Sequence, residues 1–512
     1  MRRRRLLIAI GAASLAGCGF RLRGTQSLPV ETIYLALPVN SPIGAEMSRL
    51  LRSSTNAKVV TDRQAAQAVF ELLGETRERE VLAINSQGRA TEYQIRLRIR
   101  FRVLDHSAGE LIGPTDLMAT RERSYFAICP RGLEAALADE LQALGARDVR
   151  PDNGGASFSG TREIGYAANL HSRLASRILW QVARRGYTTE QHLYDATQEV
   201  RWQDLMSPQQ TLRVDVTASR SPLASLEFAM LRIKDGIVDR LRALKGERPS
   251  IDRQNPDVRV FGYLDERTVT LYLDLSGEAL FKRGWRADKG EAPLKENVAA
   301  GLLALSGWTP QVPLFDPFCG SGTIVIEAAC IASNRAPGLN RGFAFERLGD
   351  FERGAWRRLQ QRARDAIDDG AAMLIAGSDI STRVIDQARI NAGLAGLGAQ
   401  LADGRLRLEA GDARTAAPPA EHGMIISNPP YGEQSTPRSA TVPKMMADVG
   451  DHLKASFPGW HAWFLTSDRA LPRQMRLAET RKPVLYNGAL ECRFFRFELV
   501  GGRYRPRAEV SR

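Results

Sequence analysis

The sequence predicts a multidomain chain. Its C-terminal part, 284–505, reads as a doubly wound, Rossmann-like α/β domain, with an α+β domain over 124–281 before it and a small α/β segment over 18–117 in front. Three observations carry this prediction. At 512 residues the chain is longer than a single hydrophobic core supports, so about three folding units are expected. Beyond residue 281 apolar strands alternate regularly with amphipathic helices, the order that produces a parallel sheet covered on both faces. Within that stretch "VPLFDPFCGSGTIVIEAACIA" (312–332) runs from an apolar strand through a glycine-rich turn into a helix.

Taken in order, residues 1–17 read as an export leader: Arg2 to Arg5, then "LLIAIGAASLAG" from Leu6 to Gly17. That run is too short to span a bilayer. Leu15-Ala16-Gly17-Cys18 matches a lipobox, which makes Cys18 a candidate lipid-attachment site. In 18–117, "ETIYLALPV" predicts a strand and "IGAEMSRLLRSS" an amphipathic helix. "ATEYQIRLRIRFRVLD" alternates, with Tyr93, Ile95, Leu97, Ile99 and Phe101 on one side and Arg96, Arg98, Arg100 and Arg102 on the other. Period two means a strand with one buried face; its arginine face is either simply solvated or anion-binding.

In the α+β region "SYFAICP" predicts a strand and "GLEAALADELQAL" a helix with Leu133, Leu137, Leu141 and Leu144 on one stripe. "GGASFSG" predicts a strand and turn, "EIGYAANLHSRLASRILWQVAR" one amphipathic helix, and "TLRVDVTASRS" a strand. "SLEFAMLRIKDGIVDRLRAL" predicts a helix whose wet face carries Arg232, Lys234, Arg240 and Arg242; Lys234 and Arg240 are candidate RNA contacts. "DVRVFGYLDERTVTLYLDLSG" predicts a hairpin turning at Asp265 and Glu266.

Composition narrows the partner. Apolar content of 43% and charged content of 25% are ordinary for a globular protein, while the formal charge of +13 is not. Such an excess of cation favours polyanions, nucleic acid or anionic lipid, and says nothing about fold. The five cysteines, Cys18, Cys129, Cys319, Cys330 and Cys492, are widely spaced with no C-x-x-C pair. That excludes a zinc ribbon or dithiol redox motif and gives no reason to expect a metal. The last four read as reduced, mostly buried thiols.

The residues that carry chemistry lie at strand ends. In 312–332 the strand ends at Asp316, and Gly320 and Gly322 let backbone approach a ligand. No Lys follows the second glycine, and Val325 stands where G-x-G-x-x-G needs its third, so the turn is poorly suited to phosphate. "DPFCGSGT" resembles motif I of S-adenosylmethionine (SAM) methyltransferases. The resemblance implies cofactor contacts at Asp316, Phe318, Gly320, Gly322 and Thr323. "LIAGSDIS" places Asp379 and Ile380 after the next strand, where an acid can accept from ribose hydroxyls. "LRLEAGDARTA" places Asp412 and Ala413 after the following one, within reach of an adenine amino group.

"HGMIISNPPYGE" then puts Asn428, Pro429, Pro430 and Tyr431 after a strand. Two prolines remove N–H donors and leave acceptors exposed beside the Asn428 amide oxygen. Acceptors that hold both hydrogens of an exocyclic NH2 free its lone pair for attack, and Tyr431 offers a face for stacking on a base. No general base is required, because the amine can release its proton after transfer, and most catalysis is positioning. The motif alone leaves adenine N6, cytosine N4 and guanine N2 open. Pro293, Lys295 and Glu296 begin a helix beside this site, and Lys295 is a candidate contact for cofactor or RNA.

From Met118 to about Arg505 the chain is similar to the RlmL-type methyltransferases that modify a guanine N2 of 23S ribosomal RNA. The likeness rests on "PRGLEAALADELQALGA", "HSRLASRIL", "KDGIVDRL", "DLSGEALFKRGWR", "APLKENVAA", "DPFCGSGT", "RAPGL", "SNPPYGE" and "LYNGALECRFFRF". It implies a THUMP-containing RNA-binding region over 124–281, SAM as cofactor, 23S rRNA as partner and a cytoplasmic setting. Transfer-RNA N2-guanine methyltransferases, which also combine THUMP with N-P-P-Y, are the alternative. A second methyltransferase domain, found in some members, is not expected, since the chain carries one motif I. Residues 18–117 resemble the LptE lipoproteins of the outer membrane through "CGFRLRG", "LPVETIYL", "NSQGRATEYQIRLRIRFRVLD" and "GELIGPT". That family's C-terminal portion is missing. The likeness implies LptD and lipopolysaccharide as partners of this segment. Export through Cys18 conflicts with a ribosomal substrate. The expectation is that Met118 starts the methyltransferase, and that 1–117 is a truncated neighbouring reading frame fused to it.

Overall fold

In the computed structural model the described residues are 30–38, 41, 44, 47–49, 51–52, 55–84, 90–105, 107, 109–119, 122–286, 294–430 and 442–500; the side chains of 75–98 and 116–119 are outside the description. The leader, Cys18, Pro293 and Tyr431 therefore lie outside the described residues. The chain divides into two compact units, Met1–Arg121 and Glu122–Arg512.

The first unit is a five-stranded sheet of β1 (Thr32–Ala36), β2 (Lys58–Val60), β3 (Ala68–Ile84), β4 (Ala90–Asp105) and β5 (Glu110–Ala119). The order is β2-β1-β3-β4-β5. β1 runs parallel to β2 and β3, whereas β3, β4 and β5 are antiparallel. Ile33, Ala68, Phe70, Phe101 and Val103 form its core, with Phe70 stacked on Phe101 at 5.1 Å. On the other side of β4, Arg102 joins Arg63 in gripping the Glu71 carboxylate, each at 2.7 Å.

The second unit opens with β6 (Arg123–Ile128), α1 (Glu134–Ala143), β7 (Arg147–Asp152), β8 (Gly155–Gly160), α2 (Arg162–His171) and β9 (Arg177–Gly186). It continues with α3 (Glu190–Gln198), α4 (Trp202–Leu205), β10 (Leu212–Ala218), α5 (Leu226–Lys245), β11 (Val258–Leu264) and β12 (Thr268–Asp274). All seven strands join one sheet, β10-β11-β12-β9-β6-β8-β7. Leu133, Leu137 and Leu141 are fully buried under it, as their spacing predicts.

The expected helix over 163–184 is corrected here: α2 stops at His171, and 177–186 is the central strand β9. The cause is Glu140 on α1. Its buried carboxylate accepts from Ser172 Oγ (2.6 Å) and from the N–H groups of Arg173 (2.6 Å) and Leu174 (3.4 Å). These bonds hold the chain in an extended turn, and "RILWQVAR" enters the sheet between β12 and β6. The cations of α5 also differ from expectation. Of the four predicted on its wet face, only Arg242 is exposed, while Arg232, Lys234 and Arg240 are half-buried. The Arg240 Nε is enclosed without a partner among the described residues, and Lys234 pairs with Asp235 at 2.9 Å.

The remainder holds α6 (Glu296–Ser306), β13 (Leu314–Asp316), α7 (Thr323–Ala332), α8 (Arg353–Asp365), β14 (Ile375–Asp379), α9 (Thr382–Leu394), α10 (Gly398–Ala402) and β15 (Leu406–Ala410). After these come β16 (Met424–Ser427), α11 (Val442–Ser456), β17 (His461–Thr466), α12 (Leu471–Met475), β18 (Glu479–Arg481), β19 (Val484–Asn487) and β20 (Leu490–Glu498). The sheet order is β15-β14-β13-β16-β17-β20-β18, with β19 also on β20. Strands β13 to β17 are mutually parallel, and the β18–β20 edge is antiparallel, so the sheet is mixed rather than wholly parallel. The strand order reverses between β13 and β16, which opens a crevice at their carboxyl ends. The connection from α7 to β14 departs from a simple crossover. Its Phe343, Phe345, Leu348, Trp356, Leu359 and Ala363 leave this sheet and complete the hydrophobic core beneath β6–β12.

Candidate active site

The site grows from the register of β13 against β16. Leu314 pairs with Met424 and Phe315 with Ile425, so both strands deliver their last residues to one edge. There Ser427 Oγ donates to Asp316 Oδ1 at 2.6 Å, and the Phe318 N–H donates to the same carboxylate at 3.1 Å. Asp316 is 1% exposed. Burial raises its carboxyl to about 7 against the help of those two bonds.

The turn after Asp316 needs its glycines. Gly320 and Gly322 have φ of +53° and +88°, a region L side chains avoid. A Cβ on Gly320 would meet nothing within 4 Å, so backbone faces open space there. At Gly322 it would lie 3.2 Å from Ala388 Cβ, where α7 packs on α9. Asp379, at the end of β14, is tied to this turn: its carboxylate accepts from the Gly320 N–H at 3.2 Å and the Ser381 N–H at 3.0 Å. Beside it the apolar side chain of Ile380 is 73% exposed. Asp412 follows β15, and its carboxylate is held by the Arg414 guanidinium at 3.0 Å. That bond keeps it below the ordinary carboxylate range. Ala413 is buried in the cluster that Phe318 covers, and Thr323 is buried at the start of α7.

Asn428 follows β16 directly. Its Oδ1 is enclosed and has no hydrogen-bond partner among the described residues, an arrangement a folded protein tolerates where a ligand supplies the donor. Pro429 is buried and Pro430 half-buried. The structure thus gathers Asp316, Gly320, Gly322 and Asp379 around one turn with Asn428 at the adjoining strand end. Lys295 stands at the N-cap of α6, with Nζ 5.1 Å from the Phe281 ring. Lys234 and Arg240 belong to α5, in the other sheet's layer.

Arg286 is a residue that sequence reasoning missed. It donates to Ser321 Oγ (3.1 Å) and Thr323 Oγ1 (3.0 Å) and pairs with the buried Glu296 (3.0 Å), bracing the glycine turn from behind. Its signal was an Arg and a Glu flanking "GWRADKGEAPLKE", which names no partner by itself. Arg283, also missed, donates to the buried Glu327 on α7 at 3.3 Å and to the Arg173 carbonyl at 2.5 Å.

Family models match three consecutive stretches: an RlmL ferredoxin-like domain at 124–179, a THUMP domain at 187–274 and an RMKL-like methyltransferase domain at 283–496. Among curated relatives, "Ribosomal RNA large subunit methyltransferase K/L" of Syntrophotalea carbinolica is 41% identical over 76% of this chain and 56% of its own length. The chain spans about half the length of the K/L relatives it matches. A Synechocystis sp. protein, slr0064, whose name proposes an RNA methyltransferase, is 36% identical over 75% of this chain and 99% of its own. The crystal structure of SMU.472, a proposed methyltransferase complexed with S-adenosylhomocysteine, is 29% identical with a TM-score of 0.67. It covers 76% of this chain and all of that one. TrmN from Thermus thermophilus shares the fold at 21% identity and a TM-score of 0.55, over 74% of this chain and all of that one. With a full-length relative and all three family models in register, the chain belongs to the RMKL-like methyltransferase family.

Proposed function

We propose that this chain methylates the exocyclic N2 amine of a guanine in 23S ribosomal RNA, with SAM as methyl donor, and that it works in the cytoplasm. The observation that carries the reading is the Asp316–Ser427 hydrogen bond, which sets the glycine-rich turn and the orphaned Asn428 Oδ1 side by side. The names of the K/L relatives and the S-adenosylhomocysteine held by SMU.472 support the substrate and the cofactor.

The residues present fit SAM. Backbone at Gly320 faces open space, Asp379 sits beside it, and Ile380 offers an exposed apolar surface. In this reading Asp316, Phe318, Gly320, Gly322 and Thr323 hold the amino-acid end, Asp379 accepts from ribose hydroxyls, and Ile380, Asp412 and Ala413 receive the adenine. When bound, SAM supplies an electrophilic methyl on a cationic sulfonium. Asn428 Oδ1 and the carbonyl before Pro429 accept the two hydrogens of the target amine, which keeps its lone pair out of the ring. Tyr431 stacks on the base after it leaves the helix. The proton departs to solvent, so positioning does the work. Residues 124–281, with Lys234, Arg240 and the neighbouring Lys295, grip the RNA, and 284–505 carries the transfer.

Asn428→Ala tests the roles. Transfer of labelled methyl to unmodified 23S rRNA should fall at least about a hundredfold, while SAM binds within a few-fold of wild type. Full activity in that variant would overturn the mechanism.

A further inference from the structure

We propose that the arginine face of α8 is a docking surface for the phosphate backbone of RNA; the inference rests on the RNA-methyltransferase reading above. The sequence of α8 is "RGAWRRLQQRARD", with five arginines and one acid. Arg353, Arg357, Arg358, Arg362 and Arg364 are all exposed. The opposite side is anchored: Ala355, Trp356, Leu359 and Ala363 are buried, and Trp356 meets Phe345 edge-on at 5.0 Å. The helix therefore presents its cations from a fixed base.

Helical geometry sorts them. At about 100° and 1.5 Å per residue, Arg353, Arg357 and Arg364 fall within about 40° of one another along roughly 16 Å. None of the three has an ion pair among the described residues. Arg358, on the other flank, pairs only loosely with Glu163, at 3.8 Å. Of the neighbouring acids, Asp350 is taken by Arg123 at 2.6 Å and Glu352 by Arg162, while Asp365, at the end of the helix, accepts from Gln361 at 2.7 Å and has no ion pair among the described residues. A row of five cations against one acid repels itself and is relieved by a polyanion. The guanidinium fork matches the oxygens of a backbone phosphate, and a run of such forks matches a run of phosphates. A membrane surface fits less well, because interfacial helices place aromatic or aliphatic anchors among their cations. Every large apolar side chain of α8 points into the core.

The test uses the full chain and the triple variant Arg353→Gln, Arg357→Gln, Arg364→Gln, which keeps helix propensity. Affinity for unmodified 23S rRNA is measured across a salt series, alongside SAM affinity and thermal midpoint. Expected is at least a tenfold loss at low salt and a shallower log affinity–log salt slope, by about two to three for three lost phosphate contacts. SAM affinity and midpoint should hold. Unchanged RNA affinity and slope in a folded triple variant would overturn the surface alone. So would loss of binding to anionic phosphatidylglycerol vesicles with RNA binding intact. A wild-type chain that binds no RNA would overturn the functional reading and the surface with it.

Discussion

Asp316 is the residue on which most of the site turns. Its carboxyl, raised to about 7 by burial, stands above the ordinary 3.8. The sign follows: the folded state holds a proton that the unfolded state releases, so this group favours folding at acid pH and that contribution is lost as pH rises through about 7. The thermal midpoint of the cofactor-free chain should therefore decline more steeply between about pH 3.8 and about pH 7 in wild type than in Asp316→Asn. A cationic ligand favours the ionised form, so SAM affinity should rise over the same range, and Asp316→Asn should flatten that rise. Ser427→Ala removes a buried donor to the carboxylate and should lower stability by about 1–3 kcal/mol in chemical denaturation. Residues of this kind were legible in the sequence, because Asp316 and Gly320 sit in one short strand–turn motif and Asn428 in a second, where a proline pair follows a strand. Arg286 was not legible. Its partners Ser321, Thr323 and Glu296 come from separate segments that only the fold brings together.

Among the elements, β9 departs furthest from expectation. Read alone, "HSRLASRILWQVAR" supports a helix, because Arg173, Arg177 and Gln181 recur every fourth residue among its apolar ones, as on the polar face of a helix. The deciding interactions are non-local: Glu140 breaks the helix from another element, and β12 and β6 claim the backbone beyond it. By contrast, β13 through α7 was legible because apolar run, turn and helix are consecutive. The position of β9 has a consequence for cooperativity. It is the seam between the stretch matched as ferredoxin-like and the stretch matched as THUMP, within one continuous sheet. Ile178 is fully buried on it. Ile178→Ala should cost about 2–4 kcal/mol, and hydrogen exchange should quicken together in β6 and β11. Quickening in β6 with β11 unmoved would show that the two stretches unfold independently.

For the second unit as a whole, the two sheets share material. Phe343, Phe345 and Trp356, from the methyltransferase stretch, pack against Tyr166 on α2, with Phe345 stacked on it at 4.4 Å. Arg283 and Glu327 add a buried ion pair between the segment leaving β12 and α7. Composition and periodicity do not show such sharing, because residues 336–363 read as an ordinary crossover until their long-range partners are known. A fragment of residues 122–286 lacks those aromatics and should fail to give a sharp near-ultraviolet dichroism spectrum or a cooperative melt; a fragment melting as the full chain does would show that the shared core is dispensable. This arrangement fixes the β6–β12 layer to the helix that begins at the glycine-rich turn; in the proposed function that rigid link is what positions the target base. The most direct test of that reading is the identity of the product. Unmodified 23S and transfer RNA are each incubated with the chain and methyl-labelled SAM, then digested to nucleosides. Label in N2-methylguanosine from 23S rRNA, absent with Asn428→Ala, is the expected result; label in another nucleoside, or only in transfer RNA, would contradict it.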